Sequence, residues 1–246
     1  MKITAIPIPA KIGRFDLFEM LQGIGYRDDD ILIVSSKFVA MSEGRLIKLD
    51  TVRPDAKAKA LAKKFRMDPR LAKLVLQESD MIVGGIPGFV LSIRKGMMAP
   101  NAGIDKSNVP PGHVILYPKN PFASAERLRK AFLKHGIKLG VIIADSRLMP
   151  SRRGTTGIAI ACSGFEPVED DRGKKDLFGN TLRVTFRAVA DSLATAGVAV
   201  MREAAESTPA ALVRGFPVLW TNRKLSWKDL AVPAQKDIYL RGTRML

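Results

Sequence analysis

The sequence predicts a mixed α/β fold of the α+β kind, a single intertwined unit over residues 1–246 of a size that leaves room for two subdomains. Three observations carry the prediction. Residues 31–36 and 139–144 are short, continuous apolar runs of strand length, bounded by turn signals, as buried strands are. A helical pattern intervenes between 113–117 and 139–144, and a strand–helix–strand order implies a parallel crossover. No repeat, low-complexity tract or linker divides the chain. Of its 246 residues 46% are hydrophobic and 26% charged, so a sizeable core is within reach.

In chain order, the turn-like Arg27-Asp28-Asp29-Asp30 precedes the first strand, Ile31-Leu32-Ile33-Val34-Ser35-Ser36. Residues 54–65 hold helix formers and no internal breaker, and 69–76 place Leu71, Leu74 and Val75 at helical spacing, which gives two surface-packed helices. Gly84-Gly85-Ile86-Pro87-Gly88 reads as a loop before a strand at 89–93, and 98–112 as a turn-rich stretch. After a strand at 113–117, Ser124 is suited to cap a helix whose Leu128, Ala131 and Phe132 share one face, ended by Gly136. Residues 183–201 carry Val189, Leu193, Ala196 and Val200 on one helical face. The stretch 211–220 reads as a closing strand interrupted by Gly215 and Pro217.

Lysine and arginine number 40 against 24 aspartate and glutamate, a net charge of +16. That balance favours anionic partners: nucleotides, phosphate-bearing or polycarboxylate small molecules, or nucleic acid. Nucleic-acid binding would want exposed aromatics interleaved with the cations, whereas aromatics make up 7% and fall mostly inside apolar runs, so this partner is disfavoured. No apolar run approaches the ~20 residues of a membrane span. The N-terminus lacks the pattern of a secretory signal. A lone Cys162, with only His113 and His135, excludes an internal disulfide and a Cys/His zinc site. The expected setting is the cytoplasm, away from membranes.

Three segments could carry chemistry. Asp145 follows the apolar run 139–144 and opens Asp145-Ser146-Arg147-Leu148-Met149-Pro150-Ser151-Arg152-Arg153-Gly154-Thr155-Thr156-Gly157. A carboxylate at the C-terminal end of a strand projects into the crevice where α/β proteins bind ligands. Hard oxygens for Mg²⁺ or Mn²⁺ and guanidinium forks for spare phosphate oxygens are what a metal-bound phosphate needs. The same spacing also suits an aspartate that caps the next turn. In Asn101-Ala102-Gly103-Ile104-Asp105-Lys106-Ser107-Asn108, one Asp and two Asn can bring oxygens onto an ion or build a plain Asx turn. Met201-Arg202-Glu203-Ala204-Ala205-Glu206-Ser207-Thr208-Pro209, taken alone, reads as a helix terminus with solvent-facing charges. No Walker-type Gly-Lys-Ser/Thr loop is present, so any nucleotide binding is of another kind.

These segments, in this order, resemble the γ-glutamyl ligases that add glutamate to the precursor of the deazaflavin coenzyme F-420. The likeness runs from about residue 6 to residue 217. It also takes in Ser35-Ser36-Lys37, Ser42-Glu43-Gly44-Arg45, Asp176-Leu177-Phe178-Gly179 and Val189-Ala190-Asp191-Ser192-Leu193-Ala194. The resemblance implies a homodimeric enzyme of the γ-glutamyl ligase fold that uses GTP or ATP with Mg²⁺ or Mn²⁺. It would phosphorylate an acceptor carboxylate, after which the amine of L-glutamate displaces phosphate. It implies Asp105, Asp145, Ser146 and Glu203 as metal ligands, and Asp145, Arg152 and Arg153 as the catalytic groups. The nucleotide would be lined by the early turn Lys11, Ile12, Gly13 and Arg14, by Ser36, Lys37 and Asn108, and by Met201, Arg202, Glu203, Ala204, Ala205, Glu206, Ser207 and Thr208.

The chain departs from the deazaflavin-specific pattern at two places. Those members have Thr after the strand-end Asp, followed by Phe-Gly-Arg-Pro, and a second lysine where this chain has Met41. Here Ser146 and the run to Thr156, together with Cys162-Ser163-Gly164-Phe165-Glu166-Pro167, look like the sister branch assigned to folate γ-glutamylation. The implied acceptor is therefore a folate-like polyanion or the deazaflavin precursor.

Overall fold

A computed structural model describes residues 1–242. The elements in chain order are β1 (Lys2–Ile6), α1 (Leu17–Leu21), β2 (Ile31–Ser35), α2 (Ser36–Ser42), β3 (Leu46–Lys48), α3 (Ala56–Phe65), α4 (Pro69–Glu78), β4 (Met81–Ile86), β5 (Phe89–Arg94), β6 (Met97–Pro100), β7 (His113–Ile115), α5 (Pro121–Lys134), β8 (Gly140–Leu148), β9 (Thr155–Ser163), β10 (Glu169–Asp170), β11 (Phe186–Arg187), α6 (Val189–Met201), β12 (Ala210–Arg214) and α7 (Ile238–Gly242). This is a mixed α/β fold, as the sequence predicts. The chain forms two compact units, each assembled from separate stretches of sequence.

The first unit comprises residues 1–9, 17–35 and 120–230. Its sheet has the order β1-β12-β2-β8-β9, in which only β2 and β8 run parallel. Residues 31–34 of β2 and 140–144 of β8 are wholly buried, because this central pair is covered on both faces. The apolar face of α6 packs Leu193, Ala194 and Val198 against Ile31, Ile33, Ile142, Ala159 and Ala211. Two glycines set how closely α6 approaches. A Cβ on Gly157 of β9 would lie 2.4 Å from the Ala194 carbonyl oxygen, and one on Gly197 would lie 2.5 Å from Ile33 Cδ1.

The second unit comprises residues 10–16, 36–119 and the segment from Ala231 onward. It holds a β3–β7 pair and an antiparallel β4-β5-β6 sheet. Leu71, Leu74 and Val75 of α4 pack with Phe65, Val90, Ile104, Val114 and Leu116. The Asp55 and Asp68 carboxylates accept from the Ala58 and Arg70 N–H groups and start α3 and α4, the latter with Pro69 in its first turn.

Several local expectations are corrected. Residues 113–117 and 139–144 are not partners. β7 pairs antiparallel with β3, and the parallel neighbour of β8 is β2, so the crossover spans more than a hundred residues of intervening chain. Ser36 begins α2 instead of ending β2. Gly84, Gly85 and Ile86 belong to β4. Only Pro87-Gly88 forms the turn, with Gly88 at φ +86°, as a proline followed by a positive-φ glycine favours. Within 98–112 the first residues form β6.

The cap of α5 is Asn120, whose Oδ1 accepts from the Ala123 N–H at 3.2 Å with Pro121 next in line. Ser124 lies inside that helix and donates to the Asn120 carbonyl. The long helix begins at Val189, because residues 186–187 are taken by the β10–β11 pair. The closing strand stops at Arg214 before Gly215, at φ +74°. No described helix is long and apolar enough to cross a membrane.

Candidate functional site

In the first unit, Asp145 lies inside β8 instead of at its end, since the strand continues to Leu148. Its parallel neighbour β2 stops at Ser35, opposite Ala144. Asp145 is thus the first residue of β8 past the C-terminal end of the parallel pair, held from there on only by β9, where it pairs with Ile158. The crevice position that the sequence assigned to a strand end is produced by one strand outrunning another. The strand alternation that puts Ala144 and Ser146 on one face puts Asp145 and Arg147 on the other.

Arg147 is nearly buried, and its Nη2 lies 3.7 Å from Asp145 Oδ2. Arg152 and Arg153 instead sit exposed in the turn between β8 and β9, with Ser151 at φ +58° and Gly154 at φ +83°. The three arginines of the 145–157 run therefore divide into a buried one and two solvent-facing ones. Asp191 lies in the first turn of α6. Its Oδ1 accepts from the Ala159 N–H at 2.8 Å, and burial pushes its carboxyl up against the opposing pull of that bond and of Arg147.

The segment after α6 turns sharply. Arg202 adopts φ +60°, ψ −172°, a region essentially reserved for glycine. Beyond it, Glu203 Oε1 accepts from Ser146 Oγ at 2.7 Å and from Thr155 Oγ1 at 2.7 Å, so hydroxyls from two adjacent strands converge on one carboxylate oxygen. Arg202, Glu203, Ala204, Ala205, Glu206 and Ser207 are exposed, whereas Met201 is core. Ser207, at φ +54°, donates through Oγ to the Ile8 carbonyl at 2.7 Å, and Thr208 donates to the Met201 carbonyl, which closes the segment back on the helix end. Of the residues predicted for this unit, Ser146 and Glu203 are brought into contact. Thr155 joins them, and only its place opposite Leu148 in the β8–β9 pairing reveals it.

In the second unit, Lys37 Nζ lies 2.8 Å from Asp105 Oδ2 and donates to Ser107 Oγ at 2.7 Å and to its carbonyl at 2.9 Å. Burial pushes the Asp105 carboxyl up, but the Lys37 ammonium together with the Ser107 N–H and hydroxyl outweighs it and holds the group below the usual carboxylate range. Ser36 is buried at the start of α2, and Asn108 is exposed at φ +51°. Asn101 serves structure: its Oδ1 accepts from the Val90 N–H at 2.9 Å, and Asn101 and Ala102 both adopt positive φ. A Cβ on Gly103 would meet the Tyr117 ring at 2.2 Å. Lys11, Ile12 and Arg14 are exposed around Gly13 at φ +91°, with Lys11 Nζ 5.6 Å from the Phe15 ring centre.

The donor set is one of carboxylate and hydroxyl oxygens, with no thiolate or imidazole, which is the chemistry of a hard cation such as Mg²⁺ or Mn²⁺. Among the described residues no three His, Cys, Asp or Glu side chains gather around one point.

A mixed sheet with a carboxylate and hydroxyls just past the C-terminal end of its parallel pair has the arrangement of α/β proteins that take a small ligand at that edge. The chain belongs to the F420-0:γ-glutamyl ligase family, whose family model matches residues 16–215. It is 39% identical over 220 residues to the coenzyme F420:L-glutamate ligase of Methanopyrus kandleri, covering 88% of this chain and 87% of that protein. It is 38% identical over 243 residues to the protein of the same name from Methanocaldococcus jannaschii, covering 97% and 96%. A third of that name, from Methanothermobacter thermautotrophicus, is 36% identical over 214 residues, 86% of this chain and 85% of that protein.

Proposed function

We propose that this protein is a nucleoside-triphosphate- and metal-dependent γ-glutamyl ligase that joins L-glutamate to an acceptor carboxylate. The observation that carries the reading is the oxygen cluster of Ser146, Thr155 and Glu203, in a chain that aligns with coenzyme F420:L-glutamate ligases over most of its length. In this reading an acceptor carboxylate oxygen attacks the γ-phosphorus of GTP or ATP, the bond to the β-phosphate oxygen breaks, and an acyl phosphate forms. The glutamate amine then attacks the acyl carbon, inorganic phosphate leaves, and the amine gives up a proton. Mg²⁺ or Mn²⁺, if held by the chain's carboxylate and hydroxyl oxygens, would supply charge neutralisation for the transferring phosphoryl group.

Asp105, Asp145, Ser146 and Glu203 are the proposed metal ligands. Mg²⁺ is commonly held by one or two carboxylates plus waters and nucleotide phosphates, so not all of these side chains need reach the ion at once. Lys37 and the exposed Arg152 and Arg153 supply positive charge for phosphate oxygens. The nucleotide is assigned to Lys11–Arg14 in the early turn, Ser36, Lys37, Asn108 and the 201–208 segment, and the protein to a homodimer working in the cytoplasm.

The names of the relatives favour the deazaflavin precursor as acceptor. A folate-like acceptor is the second reading, favoured by the 146–156 run, which lacks the deazaflavin-type sequence. Incubation with GTP or ATP, Mn²⁺ or Mg²⁺, glutamate and each acceptor, with mass detection of a glutamate adduct, decides between them. Asp145→Ala is expected to abolish glutamate-dependent nucleotide hydrolysis while leaving the fold intact, and full activity in that variant refutes the proposal.

A further inference from the structure

We infer that Thr155 is a positioning residue for Glu203, holding that carboxylate beside Ser146. The inference rests on the reading of Glu203 as a metal ligand.

Three observations lead to it. The first is the strained backbone before Glu203. Arg202 at φ +60°, ψ −172° occupies a conformation that a side chain disfavours, and such a residue persists only where surrounding contacts over-determine it. The second is what lies at the end of that turn: both 2.7 Å bonds to Glu203 arrive at the same oxygen, Oε1. The third is where the donors stand. Ser146 is on β8 and Thr155 begins β9, and the two strands are locked together by the pairing of Ser146 with Gly157 and Leu148 with Thr155. The two hydroxyls are therefore a fixed pair, and Glu203 is the group brought to them from an exposed turn.

The chemistry gives the two hydroxyls different tasks. Each has one proton to donate and lone pairs to offer. Ser146 spends its proton on Glu203, which leaves its lone pairs to face a cation that Glu203 also serves. Thr155 makes the second donation to Oε1 and so fixes the rotation of the carboxylate, the task of outer-shell partners around metal ligands. Two hydroxyls on one carboxylate oxygen order the exposed glutamate in advance and so reduce the side-chain entropy lost when a cation arrives.

The test is Mn²⁺ binding to the whole protein without nucleotide, read by the electron paramagnetic resonance of free Mn²⁺. Thr155→Val keeps the shape and removes the hydroxyl; it is expected to weaken Mn²⁺ binding by about tenfold, and Thr155→Ser to restore it. Both variants should give the circular dichroism of the parent, since the position is exposed. Parent-like affinity in Thr155→Val, with weakened binding in Glu203→Ala, overturns the role of Thr155 and leaves the ligand reading standing. Equal weakening in the Val and Ser variants also overturns it, because the hydroxyl is then not the cause. Parent-like affinity in Glu203→Ala sinks the ligand reading itself, and this role with it.

Discussion

Lys37 and Asp105, 68 residues apart in sequence, meet through an Nζ to Oδ2 contact of 2.8 Å, and Ser107 shares both partners. The ammonium is mostly covered and the carboxylate half exposed, so the pair lies between a surface ion pair and a buried one. Its worth for folding is accordingly small. Lys37→Met is expected to lower stability by no more than about 1 kcal/mol. Under the proposed function the same change should weaken nucleotide binding by at least about tenfold, because a fixed cation is lost from the phosphates. Chemical denaturation and nucleotide titration on the same variant separate the two effects, and unaltered nucleotide affinity removes Lys37 from the proposed site.

Glu126 supplies a prediction about acid. Burial pushes its carboxyl up, but hydrogen bonds from Arg129, Ser163 and Lys130 prevail and bring it down to about 2 from an ordinary 4.5. Because the folded value lies below the unfolded one, the stabilisation is complete above pH 4.5 and drains away as pH falls toward 2. Glu126→Gln should therefore be less stable than the parent at pH 6, with the gap shrinking by pH 3. A urea titration at the two values checks it; a constant gap contradicts the assignment.

Gly157 fixes the seat of α6. Its substitution by alanine drives a Cβ into the Ala194 carbonyl, so Gly157→Ala should cost about 1–3 kcal/mol in a denaturant titration. A neutral result means that helix and strand separate without penalty.

Arg202→Gly tests the strained turn from the other side. Relief of a conformation worth about 1–3 kcal/mol should exceed the entropy cost of the added glycine and raise the melting temperature. A lowered melting temperature indicates that the arginine side chain outweighs its backbone.

Cys162 should resist thiol reagents in the folded protein. It is 1% exposed, and burial pushes its thiol up, away from the reactive thiolate. Prompt labelling of native protein, before any denaturant is added, contradicts this.

The strands 31–35 and 139–144 and the helices of the second unit were legible in the sequence because each buries a continuous or periodic apolar set that no other local arrangement satisfies. Partner choice was not. The run 139–144 announces a buried strand, yet nothing local says that its parallel neighbour is 31–35, far away in sequence. Gly84 and Gly85 read as loop because glycine lacks a side chain to declare a strand, although the following Pro87-Gly88 turn makes them half of a hairpin.

For the candidate site, motif order in the sequence singles out Asp145, Ser146 and Glu203. The difference between buried Arg147 and exposed Arg152 and Arg153 lay in strand alternation beyond the expected strand end. Thr155 was hidden for a similar reason. It lies nine residues past Ser146, and only the hairpin register folds it back.

The overhang of β8 past β2 has a consequence for how this scaffold can diversify. Beyond Ala144 the strand leaves the five-stranded sheet and continues as a two-stranded ribbon tipped by residues 149–154. Replacements at that tip leave the covered central pair untouched. Descendants of one ancestor can therefore exchange ribbon tips at little expense in folding, while Asp145 and Ser146 stay anchored where the ribbon leaves the sheet.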